Sequence, residues 1–433
     1  MRRLTRILAA LVVLALLALA ALWQINFNDG VDLNQPPVPV ADAPAQLQRG
    51  AYLARIGNCL ACHTARGGAP GAGGLAIATD FGTAYTSNLT PDPKHGIGRW
   101  SAAAFWRALH HGRAADGRLL VPVFPYTHTT LLTRADSDAL YAWFRQLPAS
   151  ATPVPANALR WPYGTQAALA VWRALYFRPG SLQPDPTQDE TLRRGAYLVR
   201  GVAHCSVCHA TRDALGGADW RQLGGNRLGG QGWYAPSLHD VRQASLADWT
   251  VADIARLLQT GVTEHGRASG PMAEVVLHGT QYLSDADAAA MATYLKALPQ
   301  TAAPKPAAAP TPRTPSPVAL AGAKVYDKQC AQCHGAQGQG VGGLAYPPLA
   351  GNRAVTMAPA DNLLQHVLYG GFNAATAGYP RPFGMPPFVL TLSNAEIAAV
   401  LSHVRTAWGN SASELSALEV HSLRQRNAPV PKR

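Results

Sequence analysis

Apolar residues recur at helical spacing in three segments, Asp136 to Leu147, Asp285 to Leu298 and Asn394 to Trp408. That is the pattern of helices with one buried face. Each begins with a hydroxyl residue beside acidic ones: Thr133-Arg134-Ala135-Asp136, Ser284-Asp285-Ala286-Asp287 and Ser393-Asn394-Ala395-Glu396. The hydroxyl oxygen accepts from the free amides of the first turn, and the last of the three reads as a full capping box. A middle helix ending in glycine also recurs, at Phe105–Gly112, Ile254–Gly261 and Leu363–Gly370. So does an opening stretch: Arg49-Gly50-Ala51-Tyr52-Leu53, then Arg194-Gly195-Ala196-Tyr197-Leu198, then more loosely Ala321-Gly322-Ala323-Lys324 with Tyr326. Opening, middle and closing helices repeated in this order predict an all-α chain of three tandem domains joined by irregular loops.

The segments between the repeats set the boundaries. Arg2, Arg3 and Arg6 precede an uncharged apolar run from Ile7 to Trp23, the arrangement of a secretory signal or a membrane anchor. Ala18-Leu19-Ala20 offers a cleavage site, whereas Trp23 suits the far interface of a retained anchor, the reading we favour. Residues 1–30 are therefore signal peptide or anchor, and 31–45, with Pro36, Pro37, Pro39 and Pro44, an extended spacer. The domains are expected at 46–150, 191–298 and 319–410. A connecting segment, 151–190, holds a short helix from Gln166 to Phe177, with Trp172 and Tyr176 on one face. Packing of that face within the protein is favoured over docking of a partner. An Ala/Pro-rich linker, 299–318, is expected to let the third domain move, and 411–433 to form a tail.

Composition narrows the classes. An apolar fraction of 48% with 14% charged residues excludes a disordered chain. The net charge of +12 is spread over scattered arginines without a nucleic-acid-binding motif, so no nucleic-acid partner is expected. It suits a solvated surface facing an acidic partner or an anionic membrane.

The candidate chemistry lies in the cysteines. All six fall in three copies of one pentapeptide: Cys59-Leu60-Ala61-Cys62-His63, Cys205-Ser206-Val207-Cys208-His209 and Cys330-Ala331-Gln332-Cys333-His334. Cys-x-x-Cys-His is the attachment signature of c-type haem. Two thiols on one helical turn add to the haem vinyl groups, and the histidine lies under the iron. A redox dithiol or half a zinc site is the plainer reading of one copy, but three copies leave no cysteine for other uses. Three covalent haems are expected, held by Cys59, Cys62, Cys205, Cys208, Cys330 and Cys333, with His63, His209 and His334 as iron ligands. Haem attachment of this kind occurs outside the bacterial cytoplasm, in agreement with the N-terminal segment.

The opposite iron ligand sets the character of each haem, since methionine raises the potential and histidine lowers it. Beyond Met1 the chain has only Met272, Met291, Met357 and Met385. Met385, on the proline-stiffened Pro382-Phe383-Gly384-Met385-Pro386-Pro387 loop, is expected to ligate the third iron, and Met272, in Ser269-Gly270-Pro271-Met272, the second. Met291 reads as core. The first domain has Phe124 where a methionine is expected, and His128 four residues on. His128 is the expected sixth ligand there; His95, His110, His111 and a five-coordinate iron are the alternatives. The carbonyls of Pro236 and Pro348 are expected to accept from the second and third iron-binding histidines.

These residues resemble the three-haem cytochrome c subunits of bacterial membrane-bound dehydrogenases. Further matching stretches are Thr86-Ser87-Asn88-Leu89-Thr90-Pro91-Asp92 through Gly96-Ile97-Gly98, Asp116-Gly117, Trp161-Pro162 and Trp408-Gly409-Asn410. The resemblance covers about residues 45–425. It implies three cytochrome c domains, no catalysis of the organic oxidation, and transfer of electrons from a separate catalytic subunit to ubiquinone. It places the protein at the periplasmic face of the cytoplasmic membrane. Partners in the family are quinoprotein alcohol dehydrogenases, flavoprotein sugar or gluconate dehydrogenases, and molybdopterin aldehyde or N-heterocycle dehydrogenases with a small iron–sulfur subunit. Where the alcohol and gluconate branch has Pro-Ala-Met-Pro-Tyr, this chain has Val123-Phe124-Pro125-Tyr126-Thr127-His128, closer to the molybdenum branch. An aldehyde dehydrogenase complex is therefore expected. No nucleotide fingerprint, pterin-binding pattern or nucleophile constellation is present to support catalysis. The rival of another class is a haem peroxidase or oxidase working at an open first haem.

Overall fold

The computed structural model describes residues 2–34, 43–183, 187, 189–230, 232–301 and 314–427. Two units cluster by contact: Met1–Ala54 with Cys59–Gln183 and Arg212–Ala218, and Arg55–Asn58 with Pro184–Thr211 and Asp219–Arg433. The expected spacer around Pro36, Pro37 and Pro39, and most of the Ala/Pro-rich linker, lie outside the described residues. Pro44, assigned to that spacer, instead sits in the first turn of the helix Ala43–Ile56, where a missing amide costs nothing.

Each repeat is built on a crossing of its opening and closing helices at a glycine. The opening helices are Ala43–Ile56, Glu190–Tyr197 and Pro317–Gln329. The closing helices are Arg134–Phe144, Asp285–Lys296 and Asn394–Thr406. A Cβ on Gly50 would lie 2.0 Å from the Ala139 carbonyl oxygen, one on Gly195 2.1 Å from that of Ala290, and one on Gly322 1.9 Å from that of Ala399. The same main-chain approach therefore occurs in all three repeats. In the first two it is flanked by a two-pronged ion pair, Arg49 with Asp136 at 2.9 Å and Arg194 with Asp287 at 2.7 Å. In the third, Ala321 replaces the arginine. Glu396, in the position of the aspartates, turns back to cap its own helix, accepting from the Ser393 amide at 2.9 Å. The expected caps at Thr133, Ser284 and Ser393 are all formed.

The middle helices, Ala102–His111, Val251–Thr260 and Asp361–Tyr369, end at Gly112, Gly261 and Gly370, each with positive φ. The loops are less irregular than expected. Ala76–Thr79 pairs antiparallel with Gly82–Tyr85, which also pairs with Ala158–Leu159; Asn226–Leu228 pairs with Trp233–Ala235, and Gly371–Phe372 with Gly384–Met385. Strands of two to four residues are too short for apolar alternation to reveal them.

In the first unit, the N-terminal helix Arg2–Phe27 is 26 residues long. At 1.5 Å per residue that is about 39 Å, enough to cross a hydrocarbon core of about 30 Å. Its last turn is tied down. Asn26, 1% exposed, donates to the Leu22 and Ala170 carbonyls and accepts from Arg173 at 2.8 Å. Asp29 pairs with Arg113 at 2.5 Å. The helix Gln166–Tyr176 forms as expected, capped by Thr165. Its aromatic face packs within the unit, with Trp172 donating to the Leu215 carbonyl and Tyr176 to Asp213.

In the second unit, repeats two and three are joined by side-chain bonds. Arg227 meets Asp361 at 3.3 Å, and Asn362 exchanges two 2.8 Å bonds with the Tyr234 backbone. These contacts join the third repeat to the second. The expected tail is another difference. Ala417–Asn427 is a helix whose Val420 and Leu423 are fully buried, and Arg424 donates to the Val389 and Leu392 carbonyls. Two core side chains in a charged stretch give too faint a periodicity to predict it.

Candidate haem-binding sites

In each repeat the pentapeptide forms one helical turn: Cys59–Cys62, Ser206–His209 and Ala331–His334. The turn places two thiols and an imidazole on one short arc. Burial, reinforced by Cys62 and Cys208 respectively, pushes the Cys59 and Cys205 thiols up to about 12, and Cys330 rises to about 11. A redox dithiol or thiolate metal site needs the opposite shift. Among the described residues no group of three or more His, Cys, Asp or Glu side chains converges as a metal-ion site would require.

The histidines show the clearest regularity. His63 Nδ1 lies 2.7 Å from the Ser87 carbonyl, His209 Nδ1 2.8 Å from that of Pro236, and His334 Nδ1 3.0 Å from that of Pro347. Burial holds all three imidazoles below the usual histidine range, opposed by these bonds; Arg267 lowers His334 further. A neutral ring donating from Nδ1 to a carbonyl presents the lone pair of Nε2, the state a metal requires. The donor set thus fits covalent c-type haem in each repeat. Pro236 is the acceptor expected from the sequence. In the third repeat it is Pro347, not Pro348, whose carbonyl is taken by Asn352 Nδ2 at 2.9 Å. The Ser87 acceptor had no sequence signal beyond its membership of the Thr86–Asp92 stretch.

The expected sixth ligands fall in different settings. Met385 is half-buried on the strand Gly384–Met385, beside the core of the third repeat. Gly370 makes this placement possible: at φ 63 its Cβ would lie 2.3 Å from the Met385 carbonyl oxygen. Met272 is half-buried near the start of the helix Pro271–His278, against Ala268, Ala273, Val276 and Ala374. Met291 and Met357 are buried in the core. His128 stands apart. It lies in the four-residue helix Tyr126–Thr129, is 1% exposed, and has Nδ1 2.9 Å from Thr127 Oγ1. Phe124 of the same loop is half-buried. Of the alternatives, His110 stacks on Trp106 with ring centroids 4.3 Å apart. His111 is pushed down to about 4, by burial first and then by His110.

Helices crossing above a Cys-x-x-Cys-His turn whose imidazole is steadied by a backbone carbonyl define a c-type cytochrome, the class that carries covalent haem c. The cytochrome c family profile matches residues 193–299 and 319–408. The chain is 38% identical over 410 residues to the cytochrome c subunit of a quinone-dependent alcohol dehydrogenase from Gluconacetobacter polyoxogenes, covering 90% of this chain and 86% of that one. It is 36% identical over 404 residues to the gluconate 2-dehydrogenase cytochrome c subunit of Pantoea cypripedii, covering 88% and 90%. It is also 37% identical over 427 residues to a nicotinate dehydrogenase polypeptide of Pseudomonas putida, covering 94% of this chain but 34% of that longer one. The chain belongs to the family of cytochrome c subunits of bacterial dehydrogenases, proteins of electron transfer.

Proposed function

We propose that the chain carries three haem c groups, in domains 46–150, 191–298 and 319–410, and serves as the electron-transfer subunit of a dehydrogenase at the periplasmic face of the cytoplasmic membrane. It receives electrons from a separate catalytic subunit and delivers them to ubiquinone. The carrying observation is the threefold recurrence of an imidazole Nδ1 within 3.0 Å of a backbone carbonyl. Cys59 and Cys62, Cys205 and Cys208, and Cys330 and Cys333 hold the groups; His63, His209 and His334 ligate on one side, Met272 and Met385 on the other. The haem groups, when attached, supply one-electron transfer. The membrane assignment is supported by the apolar Arg2–Phe27 helix and its tied-down end. The Val123–His128 stretch favours a molybdopterin aldehyde dehydrogenase with a small iron–sulfur subunit as partner, over a quinoprotein alcohol or flavoprotein gluconate dehydrogenase.

The denatured full chain should have the mass of the polypeptide plus three haems, and Cys330→Ala with Cys333→Ala should remove one. Ubiquinone reduction should appear only once the catalytic subunit is added. A two-haem mass, or quinone reduction by the chain alone, would overturn the respective part of the reading.

His128 is the proposed sixth ligand of the first iron, but its 1% exposure favours a second reading. The other proposed ligands, His63, His209, His334, Met272 and Met385, are all half-buried. In the second reading His128 stays in the core and the first iron is five-coordinate beside Phe124. The resting protein is then expected to show one high-spin iron by low-temperature electron paramagnetic resonance, unchanged in His128→Ala. A low-spin bis-histidine signal lost in that variant restores His128 as the ligand.

A further inference from the structure

Arg267 belongs to the second repeat, five residues ahead of Met272, yet its guanidinium is spent on the third. Nη2 donates to the Leu344 carbonyl, and Nη1 lies 3.4 Å from the Ala345 carbonyl. Tyr379 donates to the same Leu344 oxygen at 3.0 Å. These carbonyls sit two and three residues before Pro347, whose own carbonyl steadies His334. Arg267 also acts electrostatically on His334. The side chain is half-buried, and an arginine keeps its proton there. Among the described residues this cation, poorly screened by salt, is met by two carbonyls and a phenol.

We propose that Arg267 is a positioning residue lent by the second domain to the haem site of the third, where its fixed positive charge raises the reduction potential at His334. The inference rests on the three-domain reading above. Adding an electron makes the site less positive, so a nearby cation favours the reduced form. Loosening the Pro347 bond would act the other way, because an imidazole that donates less strongly is the poorer electron donor to iron. The sign of the change therefore separates charge from mere support of the loop. The segment Arg267–Met272 also runs from the third site's loop to the proposed sixth ligand of the second, so the charge is set on the side where those two domains meet.

The test is a spectroelectrochemical titration of the full-length protein, wild type against Arg267→Gln, Arg267→Met and Arg267→Lys, after each is shown to carry three haems by mass. Gln and Met should lower the ratio of reduced to oxidised third haem roughly tenfold at fixed potential, a fall of about 59 mV for one electron. Lys should retain most of the wild-type value. An unchanged or raised potential in both neutral variants overturns the inference, as does a Lys variant that falls as far as they do. If Gln does not accumulate, Met and Lys carry the same decision. A wild-type protein with fewer than three haems fails the three-domain reading instead, a result seen before any variant is compared.

Discussion

Gly195→Ala is expected to destabilise the second unit although it improves helix propensity. In an exposed helix interior, alanine is favoured over glycine by about 1 kcal/mol. Here the new Cβ would stand 2.1 Å from the Ala290 carbonyl oxygen and 2.7 Å from Tyr294 Cβ. Neither atom is the free end of a flexible side chain, so the two helices must separate. Separation strips contacts from Ala288, Met291 and Leu295, all buried on the closing helix. Overpacking of this kind costs about 1–3 kcal/mol, occasionally more, and it outweighs the propensity gain. Gly195→Val should sit at or beyond the upper end of that range. Urea unfolding with haem absorbance as the probe measures both. Stability equal to or above wild type in the alanine variant would mean that the crossing is looser than described.

The second large effect concerns acid. His366, on the middle helix of the third repeat, has Nε2 2.9 Å from Ser269 Oγ and packs edge-on to Trp233. Burial alone pushes its pKa down to about 4 from 6.5. The unfolded chain therefore takes up a proton near pH 6.5 that the folded chain refuses, and stability falls as the pH drops from there towards 4. Over the whole window the loss is at most about 3 kcal/mol, an upper figure because the ring retains some access to water. Above pH 7 the group contributes no pH dependence. In His366→Gln the fall between pH 6.5 and 4 should be shallower than in wild type by that amount. The comparison is made in a window where most carboxylates are still ionised. Parallel stability curves for the two proteins would show that His366 protonates without cost in the folded state.

What could be read from the sequence follows from how local the cause is. The Ser393–Glu396 capping box, the glycine stops at Gly112, Gly261 and Gly370, and the Cys-x-x-Cys-His turns each need only a few consecutive residues, and each is present. The Trp172–Tyr176 face was legible as a helix, though not its partners, Asp213 and Leu215, some 40 residues away. The choice of Pro347 over Pro348 depends on Asn352 claiming one of two adjacent carbonyls, which the dipeptide itself does not encode. Arg267 reads as one more scattered surface charge until the third repeat is folded beside it. His128 has the right residue type in the right loop, but its burial comes from the packing of the whole first repeat.

The Nδ1 partner of His63, His209 and His334 is in each case a main-chain oxygen, and this limits how the protein can diversify. No single side-chain replacement deletes a peptide carbonyl, so the acceptor itself persists through point mutation, which reaches the bond only by shifting the loop that carries it. Lineages that need a steeper or flatter ladder of redox steps must therefore vary the distal face or the nearby charges. On the proposed ligand set, those are the two places where the three copies in this chain differ from one another.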